Sequence, residues 1–410
     1  MEWIALLIPL AVVGFFYVYF KNKITWWEPT LPIIASILII LCLKGCGESA
    51  LTTDTEYLNS YVVQVERDER WEEDIECSYD CNCYESCDSD GENCTEICST
   101  CYYDCPEWHD ECYRAVMNIG ESRSLNKSEY YYYVKLFNTG EKFKDLHRSN
   151  YYNGHDGDRY IVQWDGSDAT LQYFVSKQTY ENKVQASDDV FNFPDVDTND
   201  VKLYKLKEYP GFYESYGLTK QNHLLGITNP RAEKKLRILN AKLGKKKEVK
   251  AFILVWPGGN QQSGNMQEWY WKGGNKNEFI VCLGTEKNNP KKVNWVKVFS
   301  WSESHEMKIE VREWVNEHSD NFDIEKFIDY LYVELDTKFV RKKFSDFDYL
   351  EIEIPTGWLI AIYIVVFIFS VLLCIFAILN EFDPADTRDN KHFSRKKNIY
   401  NRFGRYNRFR

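Results

Sequence analysis

Three uncharged apolar blocks punctuate an otherwise polar chain. Residues 358–379 (WLIAIYIVVFIFSVLLCIFAIL) run for 22 positions without a charge. At 1.5 Å per residue that is about 33 Å of helix, enough to cross a hydrocarbon core of roughly 30 Å. Residues 3–20 and 31–43 open the chain, separated by KNKITWWEPT. With Trp26 and Trp27 at the level of the lipid headgroups and a helix starting near Pro29, these two blocks predict a transmembrane hairpin over 1–46. Only Glu2 precedes the first block, so the basic leader of a cleavable signal peptide is missing.

Between the membrane blocks the periodicity changes twice. Residues 121–210 read as strands and tight turns: YYYYVKLFNTG from Tyr130, then RYIVQWDGSDATLQYFVSKQ from Arg159, in which Asp165-Gly166 is a hairpin signal. A small antiparallel β region is expected there. From Asn229 the spacing turns helical. Asn229-Pro230 supplies an N-cap with Pro in the first turn, and Ala232, Leu236, Leu239 and Leu243 fall on one face before Gly244. A buried strand at 249–256, a short helix at 266–271, strands at 278–284 and 293–301 and helices at 303–317 and 324–342 follow. This α-β-α-β-β-α-α order predicts an α/β sandwich domain over 211–350, ahead of the membrane helix at 357–380.

Lys and Arg close to the membrane set the orientation. The loop between the first two blocks has Lys21 and Lys23, the N-terminal stub has none, and the tail at 381–410 has nine: Arg388, Lys391, Arg395, Lys396, Lys397, Arg402, Arg405, Arg408 and Arg410. Loop and tail are therefore expected in the cytoplasm. Three crossings then place Met1 and residues 47–357 outside it, N-out and C-in, in a cell membrane. The net charge of −12 hides an asymmetry, because residues 47–357 hold 38 basic and 56 acidic residues, a balance of −18, opposite a basic tail. That tail interleaves Arg with Phe and Tyr and suits anionic inner-leaflet lipids, each basic residue contributing about 1 kcal/mol; a purely topogenic tail is the alternative. The acidic balance argues against a nucleic-acid binder. LKGCG, at 43–47, resembles a lipoprotein box ending at Cys46, but Lys44 stands where such a box has a small residue, and an unmodified Cys46 is the reading kept.

Nine of the 13 Cys fall in an acidic module at 47–120: Cys77, Cys81, Cys83, Cys87, Cys94, Cys98, Cys101, Cys105 and Cys112. Four CxxxC pairs occur, divided by DSDGEN at 88–93. Positions i and i+4 share a helix face, so a Cys-rich helical hairpin with facing sulfurs is expected. Outside the cytoplasm these nine favour disulfides, with zinc at the cluster and thiol redox exchange as alternatives and the connectivity open. Residues 68–111 hold 16 acidic residues against one basic, Arg70. The loop NGHDGD at 153–158 has oxygen ligands for calcium but not the EF-hand spacing, and a solvated turn is the simpler reading. The Lys-rich run Lys234, Lys235, Arg237, Lys242, Lys245, Lys246, Lys247 and Lys250 is either a solvated helix face or an anion-binding patch.

Residues 215–345 resemble the TPM-type domain of membrane-anchored bacterial and thylakoid proteins. The resemblance rests on the element order, on WKGGNKNEFIVCLG at 271–284, and on the transmembrane helix that follows. It implies a metal-dependent hydrolase of phosphate esters with its loop before the strand at 278. Here that loop reads Asn275, Lys276, Asn277 and Glu278, leaving Glu278 as the catalytic candidate and the other three as binding candidates. No nucleophile elbow, P-loop, zincin or dinucleotide motif occurs. The expectation is thus a three-pass membrane protein that binds or scaffolds at the cell envelope. An extracytoplasmic protein partner would be held by the acidic module, with no resident cofactor and no nucleic acid; the hydrolase is the alternative.

Overall fold

The computed structural model describes residues 2–20, 30–87, 94–146, 157–187 and 193–380. In chain order it places a 3-10 turn at Glu2–Leu6, α1 (Leu7–Tyr19), α2 (Thr30–Thr52), β1 (Thr53–Asp68), β2 (Trp71–Cys87), β3 (Cys94–His109), β4 (Cys112–Met117) and β5 (Ser122–Leu125). Then come α3 (Lys127–Phe137), β6 (Lys142–Lys144), β7 (Arg159–Gln163), β8 (Tyr173–Glu181), α4 (Lys183–Ala186), α5 (Thr198–Leu203) and short strands β9 (Phe212–Ser215), β10 (Leu218–Gln221) and β11 (Leu224–Leu225). The last part holds α6 (Pro230–Lys247), β12 (Lys250–Pro257), α7 (Gln262–Tyr270), β13 (Glu278–Glu286), β14 (Asn289–Ser300), α8 (His305–Glu317), α9 (Ile324–Lys338) and α10 (Thr356–Asn380). Two compact units result, one from 1–53, 181–191 and 347–410, the other from 54–180 and 192–346.

In the first unit, α2 and α10 are the described helices long and apolar enough to cross a membrane; the first block, wound as α1 after its 3-10 turn, is shorter. The outward side chains of α10, among them Ile360, Ile364, Phe367 and Leu372, are exposed and apolar. α2 and α10 meet through polar and small groups: the Ser36 and Ser370 hydroxyls lie 3.3 Å apart, and Trp358 Nε1 donates to the Leu43 carbonyl at 3.0 Å. The Trp358 indole sits over Gly47, where a Cβ would come within 2.4 Å of it. Because α2 runs on to Thr52, Cys46 is an exposed residue within a helix. The Lys21–Lys23 loop and the basic tail lie outside the described residues.

The second unit is built on two sheets. One has the order β5-β4-β1-β7-β6, with β8 also pairing with β1; the other has the order β11-β12-β13-β14. In the latter β11, β12 and β13 are parallel and β14 is antiparallel to β13. Strand alternation gives this sheet two buried faces. Ala251, Ile253, Val255, Phe279, Val281 and Leu283 pack under α6, α8 and α9, whereas Phe252, Leu254, Trp256, Ile280 and Cys282 face Trp295, Tyr209 and Trp271. The expected Asp165-Gly166 hairpin is replaced by a longer excursion, since β7 and β8 both pair with β1. The first sheet also draws on both sides of the boundary expected at residue 120, joining β1 and β4 to β7.

The YYYY run is a helix, not the expected strand. Asn126 and Glu129 form a reciprocal capping box, Asn126 Oδ1 accepting from the Glu129 N–H at 2.9 Å and Glu129 Oε2 from the Asn126 N–H at 2.8 Å. Tyr130, Tyr133 and Phe137 then fall on one buried face of α3 at i, i+3 and i+7.

α6 lies against β1 at Gly244, where a Cβ would stand 1.8 Å from the Asn59 carbonyl oxygen. On an exposed helix face Gly→Ala stabilises by about 1 kcal/mol. Here the sign should reverse: Gly244→Ala is expected to lower unfolding free energy by about 2 kcal/mol or more, measured by denaturant titration of the full chain in detergent.

Candidate functional site

The cysteine-rich segment is a two-stranded antiparallel ribbon, β2 against β3, rather than a helical hairpin. A CxxxC spacing is even, so it places two sulfurs on one face of a strand as readily as on one face of a helix. Four disulfides cross the ribbon: Cys77–Cys105, Cys81–Cys101, Cys83–Cys98 and Cys87–Cys94. The first two join residues offset by two from the facing position, the last two join facing residues. On β3 alternation sends Cys101 and Cys105 to one face and Cys94 and Cys98 to the other. The four Cys of β2 are all separated by even spacings, so they can match this switch only if β2 gains a residue. It does so in a register shift between Cys81 and Tyr84, where Asn82 takes the left-handed conformation with φ 49°. Cys112 is not part of the ladder: it opens β4, faces Asp68 in the main sheet, and is an exposed free thiol.

The two faces of the ribbon differ in chemistry. One bears Tyr79, Tyr84, Ile97 and Tyr103, all exposed. The other gathers Glu72, Asp74, Glu76, Asp80, Glu85, Glu96 and Asp104, together with Tyr102 and Trp108. Like charges face each other across the strands at Glu76–Asp104 and Glu85–Glu96 on the acidic face, and at Glu73–Glu107 on the aromatic one, an arrangement that destabilises a β ladder. Near the base, Glu73, Glu107 and His109 bring three possible metal ligands within 4.8 Å of one another. His109 Nε2 lies 3.0 Å from Glu73 and its ring stacks on Trp71. Arg70 lies 4.1 Å over the Trp108 ring.

The candidates on the loop before β13 are placed elsewhere, in a closed polar cluster. Glu278 is fully buried; its Oε1 accepts from Tyr209 Oη at 2.6 Å and Asn275 Nδ2 at 3.1 Å, and its Oε2 from the Asn275 N–H at 3.0 Å. Asn277 is buried and donates to the Tyr57 carbonyl of β1 at 2.9 Å. Lys276 turns away, 3.8 Å over the Tyr180 ring and 3.9 Å from Glu56.

Sequence reasoning overlooked the rest of this cluster. Lys250, one of the Lys-rich run, is fully buried beside the rings of Tyr57, Phe212 and Phe252 and donates to Gln221 Oε1. Burial pushes its ammonium down to about 7, against the upward pull of Glu278. The same two influences act on Tyr209, burial and then Glu278 holding its phenol well above the usual value. His223, fully buried next to Asn59 at 3.1 Å, is pushed down by burial to about 4. On its neighbour Glu233, burial is outweighed by His223, Arg237 and a backbone N–H, which hold the carboxyl down at about 2. A Lys placed after a Gly-Lys-rich helix end and opening the eight-residue strand KAFILVWP was the available signal.

Six of the other cations of the run are engaged within the unit: Lys235 with Asp329, Arg237 with Glu233, Lys242 with Asp168, Lys246 with Asp336, and Lys234 and Lys245 with the Ala169 and Asn118 carbonyls. The run is therefore neither a free anion-binding patch nor simply solvated. Most of the NGHDGD loop lies outside the described residues. No protein-family model matches the chain, and comparison with curated proteins and with solved structures finds no match.

Two outcomes follow. A buried base whose folded value is depressed binds fewer protons in the folded than in the unfolded state, so stability rises with pH between the two values. For Lys250 that window is about 7 to 10.5, and for His223 about 4 to 6.5. Glu233 adds stability above 4.5 that is lost as pH falls toward about 2. Unfolding free energy should climb between pH 7 and 9, and Lys250→Met should lower that slope by about 1 kcal/mol per pH unit; an unchanged slope in denaturant titrations would count against a buried, neutralised Lys250. Secondly, alkylation of the native protein followed by mass spectrometry should label Cys112 and none of the eight ribbon cysteines, with Cys282, fully buried, modified only after unfolding.

Proposed function

We propose that this chain is a membrane-anchored binding protein of the cell envelope. In this reading three helices, α1 included, cross the membrane N-out and C-in, the basic tail engages anionic inner-leaflet lipids, and the second unit stands outside the cytoplasm. The ribbon there recognises a basic polypeptide. The observation that carries the proposal is the pair of like-charge facings on the acidic face, Glu76–Asp104 and Glu85–Glu96. Four disulfides hold that repulsion in place, and a Lys- or Arg-rich partner relieves it. Tyr102 and Trp108 on the same face offer rigid, amphipathic seats for cations, and Arg70 over Trp108 is an internal example of the geometry. An oxidising compartment, which the disulfide ladder favours, agrees with the orientation derived from Lys and Arg.

The metal-dependent hydrolase implied by the TPM-type resemblance lacks comparable support. Glu278 is fully buried and its oxygens already accept from Tyr209 and Asn275, so neither is directed at a substrate or a cation.

The test is titration of a fluorescent oligo-arginine peptide into the full chain in nanodiscs of neutral lipid. Saturable binding that falls about tenfold or more in the triple variant Glu76→Gln, Asp80→Asn, Asp104→Asn, and that weakens steeply with salt, is the expected result. A matched triple on α8, Glu306→Gln, Glu313→Gln, Glu317→Gln, should leave it unchanged. Equal losses from both triples, or tighter binding of calcium than of the peptide, would reject a basic polypeptide as the ligand.

A further inference from the structure

A membrane-spanning helix changes from apolar to polar side chains where it leaves the hydrocarbon. α2 makes this change at Leu43-Lys44, and α10, running the other way, at Trp358-Leu359. The two transitions stand side by side, because Trp358 Nε1 donates to the Leu43 carbonyl at 3.0 Å. A cavity of about 550 Å³ lies at this level, lined by Lys44, Glu48 and Thr52 of α2 and by Leu359 of α10. Two connecting segments supply the other walls. The Asn182 N–H donates to the Thr52 carbonyl at 2.6 Å, which brings Glu181 and Lys183 to the end of α2. Lys183 Nζ in turn donates to the Asp348 carbonyl at 3.3 Å, which ties that segment to the stretch 350–354.

The charges in this cavity do not balance. Four carboxylates line it, Glu48, Glu181, Glu351 and Glu353, against the two ammonium groups of Lys44 and Lys183. Lys44 is 3.6 Å from Glu48, and Lys183 is 3.8 Å from Glu181 and 3.6 Å from Asp348. Glu351 and Glu353 have no cationic partner among the described residues. Two carboxylates are therefore left over at the depth of the lipid headgroups. An anionic headgroup would meet this surplus with repulsion. A quaternary ammonium is held by aromatic faces, and none of the described residues lining the cavity is aromatic. A primary ammonium brings three donors and meets Glu351 and Glu353, while a phosphate joined to it meets the two lysines.

We propose that the cavity holds the phosphoethanolamine headgroup of a zwitterionic membrane lipid, its ammonium at Glu351 and Glu353 and its phosphate at Lys44 and Lys183. In the orientation proposed above, that lipid belongs to the outer leaflet. The site rests on α2 and α10 spanning a bilayer and is independent of the ribbon and of any partner it binds.

Alkaline carbonate extraction of membranes carrying the full chain tests the spanning helices by themselves: the chain should stay with the membranes, and its release would reject the helices and the lipid site together. Native mass spectrometry of the full chain in detergent then ranks phosphatidylethanolamine, phosphatidylcholine and phosphatidylglycerol with identical acyl chains. Phosphatidylethanolamine is expected to be retained at about tenfold lower concentration than either of the others, the difference that one charge-assisted hydrogen bond makes. The double variant Glu351→Gln, Glu353→Gln should bring it down to the level of phosphatidylcholine and leave phosphatidylcholine unchanged, whereas Glu306→Gln with Glu313→Gln on α8 should alter none of the three. Equal retention of phosphatidylethanolamine and phosphatidylcholine by the unsubstituted chain overturns this proposal alone, whatever the variants do. So does displacement of the lipid by free phosphoethanolamine at the lipid's own concentration, which would assign the cavity to a soluble ligand.

Discussion

A strand buried on both faces must accommodate the polar groups it carries inward, and β1 is the strand on which this unit depends. Its edges pair with β4, β7 and β8, and its middle meets the second sheet's helix so closely that only a hydrogen fits between Gly244 and the Asn59 carbonyl. At that approach, Asn59 reaches His223, and the Tyr57 carbonyl accepts from Asn277. Farther along, Glu66 and Asp68 of β1 are bridged by Arg114 of β4 and Arg159 of β7, 2.6 Å separating Arg114 from Glu66 and Arg159 from Asp68. Two inward carboxylates shared by two guanidiniums tie three strands together, and truncating either Arg would leave a buried charge uncompensated. Charge pairs thus join the strands on one side of the first sheet, while Val65, Ala115 and Val162, which face one another across the same three strands, pack into its apolar core.

The ribbon solves a different problem. Two strands of 17 and 16 residues with no third strand and almost no aliphatic residues are marginal in water, and facing carboxylates make them worse. Cross-strand sulfur bonds replace the missing core, each worth roughly 2 to 4 kcal/mol through the unfolded chain. Because the bulge at Asn82 rotates the distal half, two bridges lie on each face. Neither face is wholly given over to sulfur, which leaves one free to be aromatic and the other acidic.

What could be read from the sequence follows from how local each signal is. The helix at Asn229-Pro230 and the buried run of β12 were legible because cap, Pro and apolar spacing all lie within a few residues and agree. α3 was misread because four consecutive tyrosines carry strand propensity, while the opposing signal, Asn126 with Glu129, is a capping box ahead of a helix with no aliphatic face. The cysteine ladder was misread for a sharper reason. Spacing of four is shared by helix and strand, and only the odd step from Cys98 to Cys101, set against the even step from Cys81 to Cys83, separates the two by requiring a bulge. Glu278 was singled out as the catalytic candidate, but its surroundings come from residues 57, 209, 221 and 250, which no local window brings together.

The charge of the second unit acquires a different meaning once its ion pairs are placed. Lys235, Lys242 and Lys246, which in sequence form a basic stretch, each neutralise an acidic residue from another element. In the ribbon, Arg70, the one basic residue between 68 and 111, sits over Trp108, and His109 lies 3.0 Å from Glu73. Seven carboxylates thus share one face of one two-stranded element, two pairs of them directly opposite each other. Carboxylates facing each other across a ladder destabilise it, and the cationic partner proposed above would relieve that repulsion. Exposed, acidic and held rigid by covalent bonds, that face loses little conformational freedom when a cationic partner binds, which is the condition under which charge complementarity yields affinity as well as rate.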